Sequence, residues 1–248
     1  MTTNQVLSLA KNVTSNGPAQ VSEIPTVPFA AFMQDWPSQY KQDQHVTVIG
    51  PTGCGKTTLV TELIRCRGHV VAAGVKHKDK TMERLVRIEH WHRVNRWRDR
   101  PRTANRIALW PKADDLDKVF DLHRKTFGEM FRSIFKIGHW TIWLDELTYL
   151  SDHAGLKKMI RQMFILARSN KISLVSSAQR PAFVPLEAYS QASHLFLFRT
   201  GDERDLARLG SLNGTSARQV AATVAQLPEH YFLHVNLTNG RQIISTVQ

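Results

Sequence analysis

The sequence predicts an α/β fold: a mostly parallel sheet covered by helices on both faces, with an antiparallel hairpin at the C-terminal end. Three observations carry that prediction. Short apolar and β-branched runs alternate with longer stretches at helical spacing, the order that builds strand–helix–strand units. The first run leads directly into a glycine-rich segment, Gly50-Pro51-Thr52-Gly53-Cys54-Gly55. The last two runs flank Asn239-Gly240, the residue pair best suited to a tight hairpin turn.

In chain order, His45 to Ile49 is a buried strand, and Leu59, Val60 and Leu63 mark the helix after the glycine segment. Val70 to Ala73 and Arg106 to Trp110 are the next strands. A long helix is expected from about Asp114, because Leu116, Val119, Phe120, Phe127, Phe131, Ile134 and Phe135 recur at roughly helical spacing. Asp114 and Asp115 suit its positive N-terminal end. Trp140 to Leu144 is a strand, Gly155 to Ala167 a helix, Ile172 to Ser176 and His194 to Phe198 further strands, and Tyr231 to Leu237 pairs with Arg241 to Ser245. Residues 1–44 carry Gly17-Pro18, Pro25, Pro28 and Pro37 without a sustained period, so they read as an N-terminal arm or loosely docked extension. Phe29, Phe32 and Trp36 are its candidate anchors, and residues 45–248 form the single folded domain.

A chain of 248 residues with 42% hydrophobic content can bury a full core. No apolar run approaches the roughly 20 residues that span a bilayer, so no integral membrane segment is expected and the cytoplasm is the expected compartment. Cys54 and Cys66 are the two cysteines. A disulfide at Cys54 would distort the glycine segment, so both are expected as thiols. The net charge of +12 favours a polyanionic partner. Between Arg65 and Arg106 thirteen Lys or Arg stand against four Asp or Glu. No histidine spacing resembles a transition-metal site.

The glycine segment continues into Lys56-Thr57-Thr58 and meets every fixed position of G-x-x-x-x-G-K-[ST]. The glycines let the backbone curl so that successive N–H groups face a phosphate, aided by the N-terminus of the following helix. Residues Gly50 to Thr58 are therefore the expected ATP contacts, with Lys56 reaching the β- and γ-phosphates and Thr57 binding Mg²⁺. A phosphate loop alone fits a kinase, a switch or a motor. The strand ending in Asp145-Glu146 narrows this to hydrolysis: Asp145 can hold Mg²⁺ and Glu146 can orient and deprotonate the attacking water. Gln179, in Gln179-Arg180-Pro181 after the next strand, is placed to sense the γ-phosphate.

These elements together, with Ala167-Arg168 leading into the Gln179 strand, resemble the HerA/FtsK superfamily of ring-forming ATPases, which have a RecA-like P-loop fold. Within it, the run from Trp140 to Arg199 is most similar to the genome-packaging ATPases of membrane-containing icosahedral double-stranded DNA viruses. The similarity covers about His45 to Leu209. The resemblance implies a homo-oligomeric ring, commonly a hexamer, that moves double-stranded DNA through mostly phosphate contacts. It also implies a capsid vertex as a partner and the host cytoplasm or the virion vertex as the location. An arginine acting on a neighbour's nucleotide is part of the same expectation, with Arg168, Arg180 and Arg199 as unranked candidates. Lys76 to Lys80 and Arg93, Arg96, Arg98, Arg100 and Arg102 are the expected DNA-facing material, whereas the interleaved Trp91 and Trp97 are expected in the core. Conjugation, secretion or phage-assembly ATPases and a non-motor nucleotide switch are the competing readings.

Overall fold

Strands such as His45–Ile49 and Thr141–Leu144 are buried at every position, and such strands are stable only between two layers. The computed structural model, which describes residues 24–112, 114–211 and 217–247, shows how they are covered. In chain order the elements are α1 (Phe29–Gln39), β1 (His45–Ile49), α2 (Lys56–Leu63), β2 (Val70–Ala73), α3 (Lys80–Arg87), β3 (His92–Val94), β4 (Arg106–Leu109), α4 (Val119–Ile137), β5 (Thr141–Leu144) and α5 (Lys157–Leu166). There follow β6 (Ser173–Ala178), α6 (Leu186–Ser190), β7 (Ala192–Phe198), α7 (Glu203–Gly210), α8 (Ala217–Gln226), β8 (Tyr231–Asn236) and β9 (Gln242–Thr246). Among the described residues the strands form one nine-stranded sheet in the order β3-β4-β2-β5-β6-β1-β7-β8-β9.

Every pairing from β3 across to β7 is parallel, while β7–β8 and β8–β9 are antiparallel. This is the expected α/β architecture with its C-terminal hairpin. Side chains alternate across the sheet, so each strand feeds two cores. Val46, Val48, Trp143, Val175 and Phe196 pack beneath α1, α2 and α3. Ile49, Ile142, Leu144, Leu174 and Leu197 pack beneath α4 to α8. The parallel strands all end at the same edge, so the segments following β1, β2, β5, β6 and β7 gather there, where ligands bind in open α/β sheets.

Three differences from the sequence reading have physical causes. First, the described part of the expected arm contains α1, with Phe32 2% and Trp36 0% exposed. Trp36 donates its Nε1 hydrogen to Leu63 O at 2.9 Å, tying α1 to the end of α2. Pro28 stands immediately before the helix, where a missing N–H costs nothing, and Pro37 lies in its last turn; together they mask the helical period in the sequence. Thr26 also bridges to Ile244 at the outer edge of β9. Residues 1–23, with Gly17-Pro18, lie outside the described residues.

Second, the long helix begins at Val119, not near Asp114. The Asp115 carboxylate accepts from Asp117 N at 3.0 Å, a local turn that competes with helix entry, and Leu116 is left 84% exposed. Third, α3 and β3 lie within the basic stretch, where the density of charge hides their periods. Asp79 caps α3, accepting from Thr81 N and Met82 N at 2.9 and 3.1 Å. No helix among the described residues is long and apolar enough to cross a membrane.

Candidate nucleotide-binding site

The loop after β1 curls because its glycines admit what other residues cannot. Gly55 has φ +105, and a Cβ there would lie 2.4 Å from Val247 Cγ2. A Cβ on Gly50 would lie 2.5 Å from Phe198 Cβ. The loop is thus pressed between β7 and the residue following β9, and α2 starts immediately after Gly55 with its N-terminus toward the carboxyl edge.

At that edge lies a cavity of about 370 Å³ lined by Thr52, Gly53, Gly55, Lys56, Thr57 and Thr58 of the loop, with Asp145, Glu146, Gln179 and Lys76 on the opposing side. Lys56 donates to the carbonyls of Gly50 and Pro51 at 2.7 and 2.8 Å. Burial pushes its pKa down, opposed by Cys54, Asp145 and Glu146. Asp145 is pushed up to about 6, by burial first and then by the Glu146 charge beside it. A crowded acid pair facing a phosphate loop is where a divalent cation would relieve repulsion, and Asp145 and Thr57 are the residues that would hold Mg²⁺ there. The Cys54 thiol is pushed up by burial; both cysteines are free.

Lys76, expected among the DNA-facing residues, lines this cavity. Its Nζ sits 2.6 Å from Glu146 Oε1. Burial lowers the Lys76 pKa, but the hydrogen bond and charge of Glu146 outweigh it and the net direction is up. Other members of the basic stretch also have intramolecular partners. Arg93 lies over Trp110 at 4.1 Å, Arg100 over Trp97 at 4.2 Å, and Arg96 pairs with Asp99 at 2.8 Å. Lys78, Lys80, Arg98 and Arg102 are exposed. Trp91 and Trp97 are buried.

The three candidate arginines lie in different places. Arg168 reaches the start of β7, at the opposite edge of the sheet, donating to Gln191 O and to Ser193 Oγ at 3.1 Å. Arg180 is paired with Asp202 at 2.6 Å and Asp205 at 3.2 Å. Asp205 is 3% exposed and also accepts from Ala182 N; sequence reasoning missed it, since only the fold carries α7 back over the Gln179 loop. Arg199 is exposed and, among the described residues, has no hydrogen bond or ion pair. It lines a second cavity of about 640 Å³ that shares Thr52, Gly53 and Gln179 with the first and extends to His230 and Tyr231.

Fold and cavity together define a P-loop NTPase architecture. The chain superposes on the genome packaging NTPase B204 of Sulfolobus turreted icosahedral virus 2, in complex with AMP, with a TM-score of 0.61 and 16% identity, covering 83% of this chain and 98% of that one. VirB4 of Thermoanaerobacter pseudethanolicus is similar at a TM-score of 0.61 and 11% identity, over 82% of this chain and 89% of that one. The cytoplasmic domain of the type VII secretion ATPase EccC of Thermomonospora curvata follows at 0.53 and 15%, over 84% of this chain and 26% of that one. No protein-family model and no curated protein matches the chain. At these identities the likeness is one of fold, shared by packaging and secretion-type ATPases.

Proposed function

We propose that the chain is an ATP-hydrolysing translocase of double-stranded DNA, working in a homo-oligomeric ring, a hexamer in the commonest form, as a viral genome-packaging motor at a capsid vertex. The observation that carries this reading is the convergence of Lys56, Asp145, Glu146 and Gln179 on one cavity at the carboxyl edge of the sheet. Lys56 and the loop N–H groups hold the phosphates, and Asp145 with Thr57 holds Mg²⁺, which supplies charge neutralisation of the phosphate oxygens when bound. Glu146 takes the proton of a water whose oxygen attacks the γ-phosphorus as the bond to the β-phosphate oxygen breaks. Gln179 stands where the two cavities meet, beside the γ-phosphate position.

Arg199 is the arginine we assign to a neighbouring subunit's nucleotide, because Arg180 and Arg168 are already committed within their own chain. The DNA assignment draws on the net charge of +12, the exposed Lys78, Lys80, Arg98 and Arg102 and the likeness to a packaging NTPase. The likeness to the type VII secretion ATPase EccC keeps one second reading, a secretion or conjugation ATPase of the same architecture.

Steady-state ATP turnover with and without long duplex DNA across a salt series, combined with a mass measurement of the assembly, tests the proposal. DNA should stimulate turnover, and the stimulation should weaken as salt rises. Turnover indifferent to DNA in a properly assembled ring sinks the translocase assignment. Slow, DNA-independent hydrolysis with a nucleotide-dependent protein partner would indicate a switch.

A further inference from the structure

Two lysines line the phosphate cavity, and the phosphate-loop pattern accounts for only one of them. We infer that Lys76 is a second phosphate-responsive lysine, which exchanges Glu146 for the terminal phosphate when a nucleoside triphosphate enters. The inference rests on reading the cavity as a triphosphate site and adds a residue that the motif does not contain.

The placement follows from strand register. Ala73 of β2 pairs with Leu144 of β5, so the chain leaving each strand runs beside the other, and Lys76 meets Glu146. The contact is short, 2.6 Å, yet the Lys76 side chain is 53% exposed while Glu146 is 21% exposed. The Lys76 side chain therefore lies along the open side of the cavity, with room to move.

The backbone beneath it is fixed. Trp110 donates its Nε1 hydrogen to Lys76 O at 2.7 Å. A Cβ on Gly74 would lie 2.8 Å from Met82 Cγ and 2.9 Å from Trp110 Cδ1, so the segment after β2 is packed too closely to shift. Exchange of partners is then a rotation of the Lys76 side chain alone, a fast and low-cost motion.

The chemistry favours exchange over a permanent ion pair. A terminal phosphate carries more charge and more acceptor oxygens than one carboxylate. An ammonium on Glu146 Oε1 takes up one of the carboxylate's acceptor sites and leaves fewer for water. One movement of Lys76 onto the phosphate releases Glu146 and adds a cation where charge develops. A diphosphate, which ends before that position, leaves Lys76 on Glu146, so Lys76 contributes to discrimination between triphosphate and diphosphate.

The test is equilibrium binding of ADP and of the non-hydrolysable β,γ-methylene analogue of ATP, which needs neither turnover nor DNA. Lys76→Met should weaken the analogue by about tenfold or more, the loss of one charged hydrogen bond, and leave ADP within about twofold. Lys76→Arg should recover part of the discrimination. Glu146→Gln, which releases Lys76, should tighten the analogue, and that gain should vanish in the Lys76→Met/Glu146→Gln double variant. Equal effects of Lys76→Met on both nucleotides, no effect on either, or additive behaviour in the double variant overturns the inference while leaving the triphosphate site in place. A wild-type chain that binds neither nucleotide overturns the site reading and this inference together.

Discussion

At the carboxyl edge of the sheet, Lys56, Lys76, Asp145 and Glu146 share one cavity. Beneath α1, His194 and His234 stack 5.3 Å apart among Phe32, Trp36 and Phe196. Both regions remove titratable groups from water, but only the first supplies opposite charges to them. The cavity sets acids and ammonium groups against one another and leaves the lysines acceptors to choose between. The cluster keeps its histidines neutral: burial pushes His194 down to about 4 and His234 to about 3. They bond to each other at 3.1 Å and onward to Gln44 at 3.1 Å. Charge compensation thus marks the part of the sheet suited to chemistry, and neutralisation marks the part that locks α1 in place.

Substitutions should separate the two regions, and the greatest effects belong to the cavity. Glu146→Gln should lower ATP turnover by on the order of 10²–10⁴, and Lys56→Ala by on the order of 10²–10³, with little change in the urea midpoint. Normal turnover in either variant removes the assignment of the site. Trp36→Ala should do the reverse. Loss of its buried ring costs about 3–5 kcal/mol, read as a lower melting temperature, while nucleotide affinity per folded molecule stays the same. A fall in affinity without a fall in stability would show that α1 belongs to the site.

Acid offers a third way to separate them, because the two regions respond with opposite sign. Unfolded histidines take up protons near the ordinary value of 6.5, whereas the folded pair resists until about 4 and about 3. The unfolded chain therefore binds more protons in that window, and the cluster should lose on the order of 5 kcal/mol as pH falls from 6.5 to 4. A urea midpoint that stays flat over that range would refute it. Asp145 runs the other way: folded, it keeps its proton up to about 6, against 3.8 unfolded, so its contribution rises as pH falls. Asp145→Asn removes the cost of the buried charge. It should stabilise the protein at pH 7 by about 1–3 kcal/mol, steepen the acid loss, and abolish metal-dependent nucleotide binding. Unchanged stability in this variant would mean that the carboxylate is better solvated than its burial indicates.

Much of the sheet was legible because its strands are continuous apolar runs, and Asn239-Gly240 marked the hairpin. The loop, Asp145-Glu146 and Gln179 were legible because each directly follows such a run, so placing the strands in parallel brings them to one edge. Lys76 was not, because its role depends on which strand lies beside β2. That pairing joins Val70–Ala73 to Thr141–Leu144, far apart in sequence, and among so many basic residues one lysine has no local mark. The α1 helix was obscured by its prolines, and its burial depends on Phe196 and His234 from strands formed much later in the chain. Asp205 was hidden for the same reason, since its partners Arg180 and Ala182 come from another loop.

The close approach of Gly55 to Val247 bears on the order in which the molecule can be finished. A chain made from its N-terminus has β1, the glycine loop and α2 early, yet the side chain that walls the loop arrives with the last residues of the sheet. Contacts of such long sequence separation form late, after the entropy of closing the intervening chain has been overcome. The signature recognisable from eight consecutive residues is thus among the last parts of the protein to become a binding site, and a ribosome-bound chain lacking the β8–β9 hairpin would carry the motif without its wall.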